Sequence, residues 1–288
     1  MPELPEVETL RLGLIKYVLG HKILDVEILH PKVFQGEKEK VIGSTVKDAR
    51  RVGKGLILEL SNGYCLAIHI KLTGQLIYRD EKTKNVSLSA KVGGDLPNKF
   101  THVIFKLSKL TANSQKPTAY LYYNDQRRFG WIKVIKSDKV SKLPFFRDMG
   151  PEPFKDLTFA RFKFVVGKKV TKIKPLLMDQ TNMGGIGNIY ANDALFRAGI
   201  DPRKTGKSLS EEELKKLYDS ILFVLKKGLA SRGASELSFV NILGQEGEYQ
   251  NHTLVYGKRG QKCPNCGSTI KFIRIGGRGT YFCPNCQQ

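Results

Sequence analysis

The sequence predicts a two-domain α+β protein: an N-terminal β-sandwich opened by one helix, then a helical domain that ends in a cysteine-paired hairpin. Three observations carry this expectation. Between residues 23 and 135, short runs of alternating apolar residues follow one another, separated by turns such as Ser61-Asn62-Gly63. Around Met149-Gly150-Pro151-Glu152-Pro153 the alternation stops and helical spacing takes over. Near the C-terminus, two Cys-x2-Cys pairs stand sixteen residues apart.

The elements follow in order. From Pro5 to Leu19, residues Val7, Leu10, Leu14 and Val18 recur at helical spacing, with Glu6 and Glu8 in the first turn at the positive end of the dipole and Gly20 as the stop. Strands are expected at 23–29, 56–60, 64–70, 102–107, 119–123 and 131–135. The polar, glycine-containing stretch 79–99 reads as a mobile surface loop. Domain limits are expected at 1–136 for the sandwich, 137–153 for a linker, 154–250 for the helical domain and 251–288 for the hairpin. In the helical part, Pro175 suits a first helical position, and Gly184-Gly185-Ile186-Gly187 leads into a helix from Asn188, giving helix, two turns, helix. Ser210 and Glu213 form a capping box before Leu214, Leu217, Ile221, Leu222 and Leu225.

Charge points to the partner. The 288 residues carry 48 Lys+Arg against 27 Asp+Glu, a formal net charge of +21. Residues 1–50 and 201–250 are each neutral, 101–150 carry +7, and 251–288 carry six basic residues and no acidic one. A polyanion suits such regions, because neutralised phosphates release condensed counterions. A merely soluble basic protein or a ribosome-associated one is the alternative. With 41% hydrophobic and 26% charged residues, global disorder is excluded. No apolar run reaches 18 residues and the first ten residues hold three glutamates, so no membrane span or signal peptide is expected, and the reading is cytoplasmic.

Cys263, Cys266, Cys283 and Cys286 have the spacing of a four-thiolate site, for which tetrahedral zinc is the expectation and iron the alternative. The hairpin between the pairs would present Arg274 and, beside Gly276-Gly277, Arg278. Cys65, in an alternating strand, reads as a core residue. The glycine turn before Asn188 suits either anion binding at a helix start or an ordinary cap. In Asp125-Gln-Arg-Arg-Phe-Gly130, Arg127 and Arg128 could hold phosphates while Phe129 enters a base stack; a β-turn with a core phenylalanine is the alternative. Pro2 becomes terminal if Met1 is removed. An α-amine titrates near about 8, against about 10 for lysine, so it is a feasible Schiff-base nucleophile with Glu3 and Glu6 as proton donor and acceptor, although most N-termini are inert.

Together these residues resemble one family. Met1-Pro-Glu-Leu-Pro-Glu-Val-Glu-Thr9, Arg51-Val-Gly-Lys54-Gly, Asp125-Gln-Arg-Arg-Phe-Gly130, Gly150-Pro-Glu-Pro153, Ile173-Lys-Pro-Leu-Leu-Met-Asp179, Gly185-Ile-Gly-Asn-Ile-Tyr-Ala191 and the four-cysteine finger are similar, in order, to bacterial formamidopyrimidine-DNA glycosylases. The resemblance implies a bifunctional repair enzyme of nucleoid-associated, cytoplasmic habit. It would bind duplex DNA with an oxidised base or abasic site between its domains, remove oxidised purines such as 8-oxoguanine and formamidopyrimidines, and cut the abasic strand. It further implies one structural zinc ion, no nucleotide cofactor and a monomer.

Position by position, the resemblance makes Pro2 the nucleophile at the sugar C1′, Glu3 the residue that protonates the opening sugar, with Glu6 in support, and Lys54 the lysine near lesion and phosphates. Leu72, Arg127 and Phe129 match the residues that fill the gap left by the everted nucleotide, with Arg128 beside them. Lys174, Asn188 and Arg278 match phosphate contacts. The chain departs from the pattern at Leu72, usually methionine, at Gln126, usually proline, and in the long 79–99 stretch. The candidate loop covering the extruded base is 236–249. Two competing readings are an endonuclease VIII-like glycosylase for oxidised pyrimidines and a non-catalytic lesion-binding protein. The second has no need of an amine nucleophile.

Overall fold

Helix α1 (Leu4–Tyr17) starts directly after Glu3, with Pro5 in its first turn, where a missing N–H breaks no helical bond. Strands β1 (His21–Ile28), β2 (Phe34–Gln35), β3 (Val46–Val52), β4 (Gly55–Leu60), β5 (Tyr64–His69), β6 (Gly74–Asp80), β7 (Thr101–Lys109), β8 (Ala119–Asp125) and β9 (Trp131–Lys136) follow. They form a four-stranded sheet in the order β1-β7-β8-β6 and a five-stranded sheet in the order β2-β9-β5-β4-β3. All pairings are antiparallel except the short β2–β9 pair. This is a computed structural model, and it describes residues 1–109 and 116–288.

The expected sandwich is present. Val26, Phe105, Leu121 and Tyr78 of one sheet share a core with Leu58, Leu66 and Ile68 of the other, and Val7, Leu10 and Leu14 of α1 join it. Alternation along β5 sends Cys65 and Ala67 to the opposite face, where they pack with Ile57, Val140 and Phe146 beside α2 (Pro144–Arg147). Cys65 is fully buried, as expected of a core thiol, and burial pushes its pKa up to about 11.

Three strands were not expected, and the first, β2, is only two residues long. β3 (VKDARRV) is a charged edge strand with a register shift between Val46 and Asp48, so its polar residues mask the alternation. β6 is buried along both faces, so it has no polar face to alternate with. Its outer covering is the stretch expected to be a mobile loop, which is instead packed down. Val92 meets Ile77 of β6 and Val240, Thr83 bonds Asp80, and Arg79 lies within β6 itself.

The described residues divide into two compact units, Met1–Arg147 with Ser231–Glu248, and Asp148–Ala230 with Tyr249–Gln288. The sequence pattern places 154–250 in one domain. Residues 231–248 instead join the first unit because Phe239 and Ile242 enter the sandwich core and the Ile242 carbonyl accepts the Tyr78 N–H at 2.7 Å.

The second unit holds α3 (Phe159–Val166), α4 (Ile173–Met178), α5 (Asn188–Ala198), α6 (Glu211–Ala230) and the hairpin of β10 (Lys271–Ile275) with β11 (Arg278–Phe282). The capping box forms as expected: Ser210 N–H donates to Glu213 Oε2 at 2.9 Å and Glu213 N–H to Ser210 Oγ at 3.2 Å. Helix α4 begins at Ile173, so Pro175 takes the third helical position rather than the first. Tight packing of α5 on α6 leaves no room at Gly228, where a Cβ would lie 2.5 Å from the Tyr190 ring.

Candidate functional site

In the first unit, Pro2, Glu3 and Glu6 are all buried at the start of α1. Glu3 and Glu6 form a capping box in which Glu3 N–H donates to Glu6 Oε2 at 2.7 Å. The other oxygen of Glu6 accepts the Ala234 N–H at 2.7 Å. Gly233, at φ +83°, is required beside it, since a side chain there would be strained and its Cβ would sit 2.9 Å from Glu6 Cγ. The carboxylate therefore fixes the backbone at Glu3 and is itself fixed by residues 231–248.

Lys54 is buried in the turn between β3 and β4. Arg51 steadies this turn, donating to Gly53 O at 2.9 Å and pairing with Glu8 of α1 at 3.0 Å. Burial first, then the charges of Lys71 and Lys54, hold the His69 imidazole down at about 3, so it is neutral. His69 Nδ1 accepts the Lys71 N–H at 2.9 Å.

The structure brings the three expected gap-filling residues onto two coupled turns. Leu72 lies in the β5–β6 turn, and Arg127, Arg128 and Phe129 lie in the β8–β9 turn. Asp125, fully buried, joins them: it accepts the Thr73 hydroxyl, the Arg127 N–H at 3.2 Å and the Gly130 N–H at 2.8 Å. Thr73 Oγ1 also accepts the Arg127 N–H at 3.0 Å. Phe129 is 53% exposed, which excludes the core-phenylalanine alternative, and the Arg127 guanidinium stacks 4.8 Å from its ring. Lys71 and Arg128 both adopt left-handed backbone, at φ 49° and 56°. Such strain in non-glycine residues collects where a side chain must be aimed.

Residues 236–249 were the candidate cover for an extruded base. Phe239, Val240 and Ile242 are buried in this stretch, while Leu237 is 62% exposed. Ser238 Oγ donates to Leu72 O at 2.9 Å, tying the stretch to the Leu72 turn.

In the second unit, Asn188, Lys174 and Arg278 gather around β11. Asn192 donates to Asn188 O at 2.6 Å while its Oδ1 accepts the Tyr281 N–H at 2.8 Å. Lys174 is completely buried, and its Nζ donates to Gly279 O at 2.6 Å and Thr280 Oγ1 at 2.8 Å. This lysine, expected to contact phosphate, thus holds the hairpin immediately behind Arg278. Gly276 and Gly277, at φ 56° and 73°, make the two-residue turn that leaves Arg278 exposed. Gly187 begins α5 without a side-chain cap, and Gln180 braces the glycine turn by accepting the Gly185 N–H at 2.9 Å and donating to Ile186 O at 2.9 Å.

The four cysteines fit a metal ion. Their sulfurs all lie within 4.8 Å of one another, with Cys263–Cys286 at 3.8 Å and Cys266–Cys283 at 3.4 Å. A tetrahedral ZnS4 site with bonds of about 2.3 Å needs edges of about 3.8 Å. Each pair opens a knuckle in which the first cysteine's carbonyl accepts an N–H four residues on, Gly267 for Cys263 and Gln287 for Cys283. The donor set holds one structural zinc ion and closes all four positions, leaving none for catalysis.

Sequence reasoning missed Asp193. It is fully buried in α5 and accepts Tyr249 OH at 3.0 Å and the N–H groups of Leu254, Val255 and Tyr256 at 3.0, 3.0 and 3.1 Å. It orders the chain entering the zinc hairpin. An Asn-Asp pair within a helix carries no local signal for this.

Comparison with known proteins agrees along the whole chain. The formamidopyrimidine-DNA glycosylase N-terminal domain matches residues 1–132, the H2TH domain of the same enzymes matches 149–239, and the zinc finger found in FPG and IleRS matches 260–288. A formamidopyrimidine-DNA glycosylase of Pelotomaculum thermopropionicum is 38% identical over 294 residues, covering 100% of this chain and 99% of the relative. Another, from Lactococcus lactis subsp. cremoris, is 38% identical over 296 residues and covers 100% of both. Among solved structures, Lactococcus lactis Fpg with an abasic site containing DNA is 34% identical, covers 99% of both chains and superposes with a TM-score of 0.85. The wild-type Lactococcus lactis Fpg with an oxidized pyrimidine containing DNA has the same identity and TM-score over 100% of both chains. The chain belongs to the formamidopyrimidine-DNA glycosylase family.

Proposed function

We propose that this protein is a DNA glycosylase and abasic-site lyase of base excision repair, acting on oxidised purines through the amine of Pro2. The observation that carries the reading is the buried Pro2-Glu3 end, fastened through Glu6 to both the helix start and residues 231–248. A base in duplex DNA shields its sugar, so the nucleotide must be extruded at a cost of a few kcal/mol. Phosphate contacts from Lys54, Arg127, Arg128, Asn188, Arg278 and the Lys174-supported hairpin offset that cost, while Leu72, Arg127 and Phe129 occupy the gap.

With Met1 removed, the Pro2 nitrogen attacks C1′, its N–H proton leaves with the damaged base, and Glu3 protonates the ring oxygen as the sugar opens. The resulting iminium acidifies the C2′ proton. Loss of that proton expels the 3′ phosphate, and a second elimination expels the 5′ phosphate. The amine does the covalent work, and the zinc ion keeps the hairpin of Arg278 folded.

A second reading, in which oxidised pyrimidines are also substrates, is favoured by one observation: the Lactococcus lactis relative has been crystallised with DNA containing such a base. A cleavage panel decides the range. The reading expects strand scission at 8-oxoguanine opposite cytosine and at formamidopyrimidine-guanine, faster than at thymine glycol or dihydrouracil. Equal or greater rates on the pyrimidines would replace the purine assignment.

A further inference from the structure

We propose that Lys91, in the long stretch between β6 and β7, is a positioning residue for the Pro2-Glu3 end. The proposal rests on the Pro2 reading above. The Ala234 N–H that holds Glu6 belongs to a segment with little regular structure of its own, so something else must set its position. Lys91 does so at two points. Its Nζ donates to the carbonyl of Ser235, the residue next to Ala234, and to Glu246 Oε2 at 2.5 Å, joining the two ends of the segment.

The surroundings reinforce this clamp. Ser89 donates its hydroxyl to Glu246 Oε1 at 2.6 Å and its N–H to Gly244 O at 2.8 Å. Gln75 of β6 donates to Lys91 O at 3.0 Å and Ser238 O at 2.7 Å, and Ser238 in turn reaches Leu72. One ammonium thus adds to the core contacts of Phe239 and Ile242 a polar tie on a segment that touches both the catalytic end, through Glu6, and the gap-filling turn, through Leu72.

Magnitudes separate positioning from stability. The Lys91 and Glu246 side chains are 27% and 40% exposed, so the pair is screened and adds little to folding. A shift of about 1 Å at a reacting group, in contrast, costs about a hundredfold in rate.

The test uses full-length protein with enzyme in excess over an 8-oxoguanine duplex, measuring the rate of borohydride-trapped adduct together with amide exchange at Ala234. Lys91→Met is expected to slow trapping at least tenfold and to speed Ala234 exchange, with its thermal midpoint within a few degrees of the parent. Lys91→Arg is expected to return to within threefold of the parent, and Lys91→Met combined with Glu246→Gln to be no slower than Lys91→Met alone. Trapping by Lys91→Met within twofold of the parent, or an arginine variant no better than the methionine one, overturns the proposal. If the parent protein itself traps no adduct, the Pro2 reading fails, and Ala234 exchange alone judges the clamp: unchanged exchange in Lys91→Met overturns it.

Discussion

The Glu6 carboxylate and the Ala234 N–H, 228 positions apart in the chain, are joined by a hydrogen bond of 2.7 Å. Because the second oxygen of Glu6 accepts the Glu3 N–H, two buried donors depend on one carboxylate. Glutamine offers one acceptor and turns an NH2 toward the other donor. Glu6→Gln is therefore expected to cost about 1–3 kcal/mol of stability by urea unfolding. It should also slow single-turnover base excision at least tenfold. A variant with parental excision rate would show that this bond does not position the N-terminal end.

His69 supplies a pH test. Burial and the neighbouring lysines hold it at about 3 in the folded protein, against about 6.5 when unfolded. Below pH 6.5 the unfolded chain takes up a proton that the folded protein refuses, so stability falls as pH drops from about 6.5 toward 3 and is level above that window. Between pH 6.5 and 5.5 this contributes about 1 kcal/mol. His69→Asn keeps an acceptor for the Lys71 N–H and removes the titration. Urea unfolding across this range should show a shallower pH slope for the variant, and identical slopes would refute the buried neutral assignment.

What the sequence discloses and what it hides follow from range. The cysteine knuckles, the Ser210-Glu213 box and the glycine turn before Asn188 are local patterns, and each folds as its spacing predicts. β6 and the rest of the 79–99 stretch escape the sequence for one reason. They cover each other, so an apolar run lost its polar face and a polar, glycine-bearing stretch acquired a buried side. The site divides in the same way. Pro2, Glu3 and the turn at Arg127 lie in short recognisable strings, whereas the roles of Ala234, Asp125, Asp193 and Lys91 exist only in contacts that spacing cannot reveal.

The zinc hairpin should fail as a unit. Elemental analysis is expected to find one zinc per chain, and Cys283→Ser to lose it along with at least tenfold of lesion-duplex affinity, since the fold that presents Arg278 depends on the closed thiolate cage. Retention of stoichiometric zinc and of affinity would separate the hairpin from DNA binding.

Asp193 holds the approach to that hairpin. Replacing it with asparagine sets an amide NH2 against a group of three backbone donors and the Tyr249 hydroxyl, at a cost of about 1–3 kcal/mol by urea unfolding. A change below about 1 kcal/mol would mean that the 254–256 backbone finds other partners.

The most direct measurement is borohydride trapping on an 8-oxoguanine duplex, followed by peptide mass analysis of the adduct. The account predicts a covalent protein–DNA species carried by an N-terminal proline with Met1 removed, and no such species from protein that retains Met1, in which the Pro2 nitrogen is an amide. An adduct on a lysine, or undiminished trapping by protein that retains Met1, would contradict it.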